Sequence, residues 1–121
     1  MRKQLSIVAG PGCCAPISQA PIEPSDAIDL AAAFKALGDP VRLQLLSMIT
    51  SHPSGEVCVC DLTPAFTVSG PTISHHLRVL RETGLIDHER RGTWVYYRPV
   101  RDRLGALSGL LATSADTIVT A

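Results

Sequence analysis

The sequence predicts a mainly α-helical fold with one small β-hairpin. Three observations predict it: apolar residues recur at helical spacing in several runs, Gly and Pro separate those runs, and two strand-like runs flank Arg91-Gly92. At 121 residues the chain is one domain with room for a modest core. Hydrophobic residues make up 45% of it, enough to drive folding.

Residues 1–23 show no sustained periodicity and read as a flexible arm, leaving 24–121 as the folded part. Ser25 or Asp26 is placed to cap a first helix through about Leu37, with Ile28, Ala31, Ala32 and Phe34 as its apolar surface. Gly38 stops it. Asp39-Pro40 opens a second helix, Asp39 as cap and Pro40 at the first helical position, where its missing N–H costs nothing. Val41, Leu45, Leu46 and Ile49 follow at helical spacing until His52-Pro53-Ser54-Gly55 ends the run. A short helix is expected over roughly Cys60 to Phe66, then a turn at Thr67–Gly70. Ser69 caps the next helix, Pro71 lies in its first turn, Ile73, Leu77 and Leu80 mark its buried face, and Gly84 terminates it. Leu85–Arg90 and Thr93–Arg98 form the hairpin. A last helix is expected from about Asp102 to Ile118, with Leu104, Leu107, Leu111 and Ile118 along one stripe. Helix, helix, short helix, turn, polar-faced helix, basic hairpin and helix is the order of a winged helix-turn-helix.

Charge is unevenly spread. Lys plus Arg and Asp plus Glu each number 11, so the overall balance says nothing about nucleic acid. Residues 18–69, however, carry two cations against six carboxylates, a net of −4, whereas 70–103 carry seven arginines against four carboxylates, a net of +3. A basic stretch on an acidic domain is a weak footprint for polyanions. The N-terminus MRKQLSIVAGPGCC has a basic start, but its apolar run from Leu5 to Ala9 is shorter than a signal core, and Gly10-Pro11-Gly12 breaks it. No stretch approaches the roughly 20 apolar residues of a membrane span. The expectation is a cytoplasmic protein with no membrane partner, whose four cysteines are free thiols or ligands rather than structural disulfides.

The segment SGPTISHHLRVLRETGLI carries the strongest chemistry. Its apolar stripe turns Thr72, His75, His76 and Arg78 to other faces, with Ser74 near the boundary. Short donors and acceptors at a helix start suit base edges in the major groove, while Arg78 and Arg81 suit phosphates. In HERRGTWVYYR, Arg90 and Arg91 stand at a hairpin tip able to reach flanking backbone or minor groove. Ser69, Pro71 and Thr93 complete the candidate DNA-binding set. The plain alternative is a solvated helix and an ordinary hairpin. The His75-His76 pair is a poor metal site, because adjacent helical residues diverge by about 100°.

FKALGDPVRLQLL, CVCDL, PTISHHLRVLRETGLI and RRGTWVYYR, in this order and spacing, resemble the ArsR/SmtB family of metal-responsive repressors over about residues 26–100. The resemblance implies a homodimer joined through its first and last helices, with recognition helices in successive major grooves of double-stranded operator DNA, about 34 Å apart. Gly70 departs from the family, where many relatives have a polar side chain. The resemblance also implies sensor positions. CVCDL is similar to the thiolate site of arsenite and cadmium/lead sensors and carries over to Cys58 and Cys60; an N-terminal contribution carries over to Cys13 and Cys14. The family's zinc site on the last helix has no match, since residues 101–121 hold no His or Cys.

A lone buried cysteine is usually a small hydrophobe, a fair reading of Cys58 or Cys60 but not of Cys13-Cys14 in a Gly/Pro-bounded arm. No zinc-ribbon spacing is present. Residues at i and i+2 do not face each other on an intact helix, so Cys58 and Cys60 can hold one ion together only if the chain is extended or the helix start unwinds. Such unwinding is itself a conceivable switch. Soft thiolates fit As(III), Sb(III), Cd(II) and Pb(II). Arsenite tends to take three thiolates and cadmium or lead up to four. Position 63, Cys in some arsenite repressors, is Thr63, so the third ligand must come from the arm. The expected effector is As(III), with no organic cofactor. A thiol-redox repressor is a further alternative. An enzyme is disfavoured, because the chain lacks a phosphate-cradling loop, a C-x-x-C motif and alternating strand–helix units.

Overall fold

A computed structural model describes residues 15–113. In chain order the described residues form α1 (Pro24–Leu37), α2 (Pro40–Ser51), β1 (Val57–Cys58), α3 (Val59–Leu62), a 3-10 turn (Thr63–Ala65), α4 (Gly70–Glu82), β2 (Ile86–Arg91), β3 (Trp94–Pro99) and α5 (Arg101–Leu110). Residues 31–100 make one compact unit, and the described parts of 1–30 and 101–121 make a second.

In the 31–100 unit, local signals set the helix starts. The Asp39 carboxylate accepts from the Val41 and Arg42 amides at 2.9 and 3.2 Å, with Pro40 next to it in the first turn. The Ser69 hydroxyl accepts from the Thr72 amide at 3.3 Å and exchanges a 2.9 Å hydrogen bond with the Thr72 hydroxyl. Both satisfy amides that a helix start leaves without partners. Gly84 takes φ +81°, and the Leu85 amide reaches back to the Leu80 carbonyl, closing α4 with a left-handed residue. Leu45, Leu46 and Ile49 of α2 and Ile73, Leu77 and Leu80 of α4 form the core with Val57, Leu62, Leu85 and Ile86.

The sheet has three antiparallel strands in the order β1-β3-β2. Arg91 pairs with Trp94 across Gly92-Thr93, and of these two turn residues Gly92 alone has positive φ, +64°. A glycine first in a two-residue turn, followed by a residue with negative φ, fits a type II′ hairpin. The wing is thus as expected, shifted by one residue. Strand β1 was not expected: its two residues are too few to show an alternation. Val57 pairs with Tyr97 and Cys58 with Tyr96.

Helix α1 differs from the sequence reading in phase. Its first turn includes Ser25 and Asp26, because Pro24 is accepted at the first helical position. It buries Leu30, Ala33 and Ala36, while Ile28 is 75% exposed, Ala31 and Ala32 are exposed and Phe34 is half-buried. Alanines at the buried positions permit close backbone approach, and the larger Ile28 is left outside. In the second unit, Leu107 and Leu110 of α5 are buried, Leu104 is half-buried and Leu111 is exposed. The expected stripe of Leu104, Leu107 and Leu111 is therefore split. Arg103 is 7% exposed and donates to the Asp29 carboxylate at 2.6 and 3.1 Å. Helix α5 ends at Leu110, where the Leu111 and Ala112 amides turn to carbonyls three residues back; Ile118 lies outside the described residues.

Candidate nucleic-acid interface and thiol pair

Helix α4 divides cleanly. Ile73, Leu77 and Leu80 are wholly buried, so the 100° step per residue turns Pro71, Thr72, Ser74, His75 and Arg78 outward. Ser69, the cap, is exposed too. Pro71 and Thr72 lie in the first turn, where the amides carry the positive end of the helix dipole, Ser74 and His75 lie in the second, and Arg78 is in the third. His76 is half-buried, with its Nδ1 3.1 Å from Nη1 of Arg42, and Arg78 Nη2 stands 3.4 Å from Nδ1 of His75. Arg42 was missed by sequence reasoning, since 34 residues separate it from His76 and no local pattern links them.

On the wing, Arg91 is engaged on every side. It donates to both Glu56 oxygens at 2.6 and 2.8 Å and to Glu89 at 2.9 Å, and its guanidinium lies 4.5 Å from the Tyr96 ring centroid. These bonds hold the Glu56 and Glu89 carboxyls below their ordinary range, with Arg91 the largest cause for each, and they push the Arg91 proton on more firmly. Arg98 reaches Glu89 at 3.3 Å and Asp87 at 3.7 Å. Arg90 is exposed and makes no ion pair or hydrogen bond among the described residues, and Thr93 is exposed in the turn. Of the wing arginines, Arg90 is the one with an uncommitted charge. Glu56 gave no signal in sequence, because its strand-edge position comes from β1.

Cys58 and Cys60 lie where β1 runs into α3. Cys58 is 5% exposed and extended, at φ −71° and ψ 143°, and it also caps α3: its Sγ accepts from the Cys60 amide at 3.2 Å. Cys60 is exposed in the first turn. The two sulfurs are joined as a disulfide, with Cα atoms 5.1 Å apart. The disulfide replaces the free thiols expected of this pair, and a role as ligands belongs to its reduced form. Of the two routes to convergence that the sequence allows, an extended chain or an unwound helix start, the structure takes the first: Cys58 is extended and α3 stays intact. Two soft donors side by side, one of them solvent-accessible, fit a thiophilic ion once reduced. Cys13 and Cys14 lie outside the described residues.

The family model described as "Bacterial regulatory protein, arsR family" matches residues 39–88, which span α2 through the start of β2. An uncharacterized HTH-type transcriptional regulator of Methanocaldococcus jannaschii is 40% identical over 74 residues, covering 61% of this chain and 81% of that protein.

The chain belongs to the ArsR family.

It is accordingly a winged helix-turn-helix transcriptional regulator and not an enzyme. The arsenical resistance operon repressor of Escherichia coli is 46% identical over 65 residues, 54% of each chain, so this ArsR-family protein spans about half the length of that relative. The solution structure of the homodimeric winged helix-turn-helix DNA-binding domain of a possible ArsR-family regulator from Mycobacterium bovis covers 74% of this chain and 82% of its own, at 28% identity and a TM-score of 0.61. Among the described residues no helix is long and apolar enough to cross a membrane.

Proposed function

We propose that this protein is a cytoplasmic, homodimeric repressor that binds double-stranded operator DNA and releases it when As(III) is captured by cysteine thiolates. The observation that carries the DNA half is α4: a wholly buried apolar stripe leaves Ser69, Pro71, Thr72, Ser74, His75, His76 and Arg78 on or beside the solvent-facing side. Base edges are read by the hydroxyls and imidazoles, and phosphates by Arg78, Arg90, Arg91 and Thr93. Arg90 is the strongest phosphate candidate, since Arg91 must first leave two carboxylates.

The effector half rests on the converging sulfurs of Cys58 and Cys60. A cellular dithiol reduces the disulfide, and arsenous acid then exchanges its hydroxyls for thiols, one water leaving for each As–S bond formed. Two sulfurs are at hand, and Cys13 or Cys14 provides the third. In this reading residues 1–23 are an arm delivering those thiols, and residues 24–121 carry DNA binding and dimerisation. Sb(III) would follow the same chemistry, whereas Cd(II) or Pb(II) would draw on all four cysteines. The direct test selects duplexes from random DNA with the purified, reduced protein, then titrates the complex with arsenite, antimonite, cadmium, lead and zinc. A palindromic site released first by arsenite is expected; release by cadmium or lead but not arsenite would reassign the effector.

The disulfide favours one further reading, a redox repressor. Peroxide would take two thiols to a disulfide and two waters, with no ion bound. Operator release by peroxide in metal-free buffer, reversed by a dithiol, would support it; retention of DNA by the oxidised protein would exclude it.

A further inference from the structure

Arg42 holds His76 by one edge of a planar fork. Its Nε donates to the Ala36 carbonyl at 2.6 Å, in the last turn of α1, and its Nη1 is 3.1 Å from His76 Nδ1 on α4. A guanidinium has five N–H donors, no acceptor, and keeps its charge at every working pH. The ring nitrogen it faces must therefore present a lone pair. With Nδ1 accepting, the single proton of the neutral imidazole is on Nε2. A protonated ring would set two hydrogens against each other across 3.1 Å. Asp39 is the carboxylate near both groups, and its Oδ1 is engaged by the Val41 and Arg42 amides.

We propose that Arg42 is a specificity-determining positioning residue: it locks His76 as the Nε2–H tautomer, so that α4 offers DNA a donor at this position and reads an acceptor on a base edge. The inference rests on the assignment of α4 as the DNA-reading helix. In the major groove purine N7, guanine O6 and thymine O4 accept, whereas the amines of adenine and cytosine donate. A ring fixed with Nε2–H pairs with the first group and is refused by the second. A ring free to exchange tautomers accepts either. His75 is the internal contrast: its arginine, Arg78, is three residues away on the same exposed helix face, at the longer distance of 3.4 Å. Arg42 instead ties its histidine to a different helix.

The test has two arms. In the DNA-free, reduced protein labelled with 15N-histidine, long-range 15N–1H correlations should show His76 with an unprotonated Nδ1 and a proton on Nε2. Arg42→Met should move His76 toward the averaged pattern of an exchanging ring. A wild-type His76 that is charged, exchanging or protonated on Nδ1 at the pH of DNA binding overturns the lock, whatever the variant does. In the second arm, duplexes selected by the wild-type protein are rebuilt with analogues lacking one acceptor each: 7-deazapurines for N7, 2-aminopurine for guanine O6 and 5-methyl-2-pyrimidinone for thymine O4. One position per half-site should cost the wild type roughly three- to tenfold in affinity, and Arg42→Met should lose that dependence while keeping its salt dependence. An identical analogue profile in wild type and variant overturns the specificity role. A wild-type protein that selects no sequence overturns the base-reading assignment, and the first arm, read without DNA, separates that failure from failure of the lock.

Discussion

Arg90 and Arg91 are consecutive on β2, yet only Arg91 has its charge taken up by carboxylates. Arg90→Ala should weaken binding to all sequences alike and lower the slope of log affinity against log salt by about one, the signature of a lost phosphate contact. Glu56→Gln should do the reverse and tighten binding, because it removes a carboxylate that neighbours the wing and loosens its hold on Arg91. Titrations of a fixed duplex over a series of KCl concentrations check both, and equal losses in Arg90→Ala and Glu56→Gln would contradict the assignment. The same ion pairs set a pH dependence. Glu56 and Glu89 titrate below their ordinary value of 4.5 in the folded chain, so they stabilise it above that pH, and the stabilisation is lost as pH falls through their folded values. Thermal melts taken from pH 5 downward should fall more steeply for wild type than for Glu56→Gln. Arg42 and Glu56 were hidden from sequence reasoning because each acts on a residue more than 30 positions away.

Helix α4 shows what a linear pattern can reveal. Ser69, Pro71, the Ile73-Leu77-Leu80 stripe and Gly84 are local signals, and each does in three dimensions what its spacing predicts. Ser69→Ala should cost about 1 kcal/mol through the lost cap. Leu77→Ala should cost about 2–5 kcal/mol through the cavity left in a fully buried site. Urea unfolding measures both, and a near-neutral Leu77→Ala would mean that α4 does not anchor the core. Elements whose form depends on distant partners were less legible. Strand β1 exists because β3 lies beside it, and with it came the extended geometry at Cys58 that brings the two sulfurs together. The phase of α1 was misjudged because alanine is compatible with either face of a helix, so Ala33 and Ala36 could not be told from Ala31 and Ala32.

At the scale of the whole molecule, the apolar residues left exposed argue for a partner copy. Ile17, Ile22, Ile28 and Leu111 are exposed within the unit formed by the two flanking segments, whereas Leu107 is buried inside it. A homodimer joined through its first and last helices, as proposed above, should therefore bury Ile28 and Leu111 at its seam, while Leu107 serves the packing of one copy. Ile28→Glu or Leu111→Glu should give a folded monomer that has lost tight DNA binding, while Leu107→Glu should unfold; sedimentation and circular dichroism distinguish these results. The proposed operator release through thiolate capture would join the DNA-reading and sulfur-bearing parts into one function, with an expected coupling of about 1–3 kcal/mol. Its most direct test is arsenite titration of the reduced protein on its selected duplex, beside a variant with all four cysteines replaced by serine. Both proteins should bind the duplex equally and only the wild type should release it; release of the cysteine-free variant by arsenite would contradict thiolate capture.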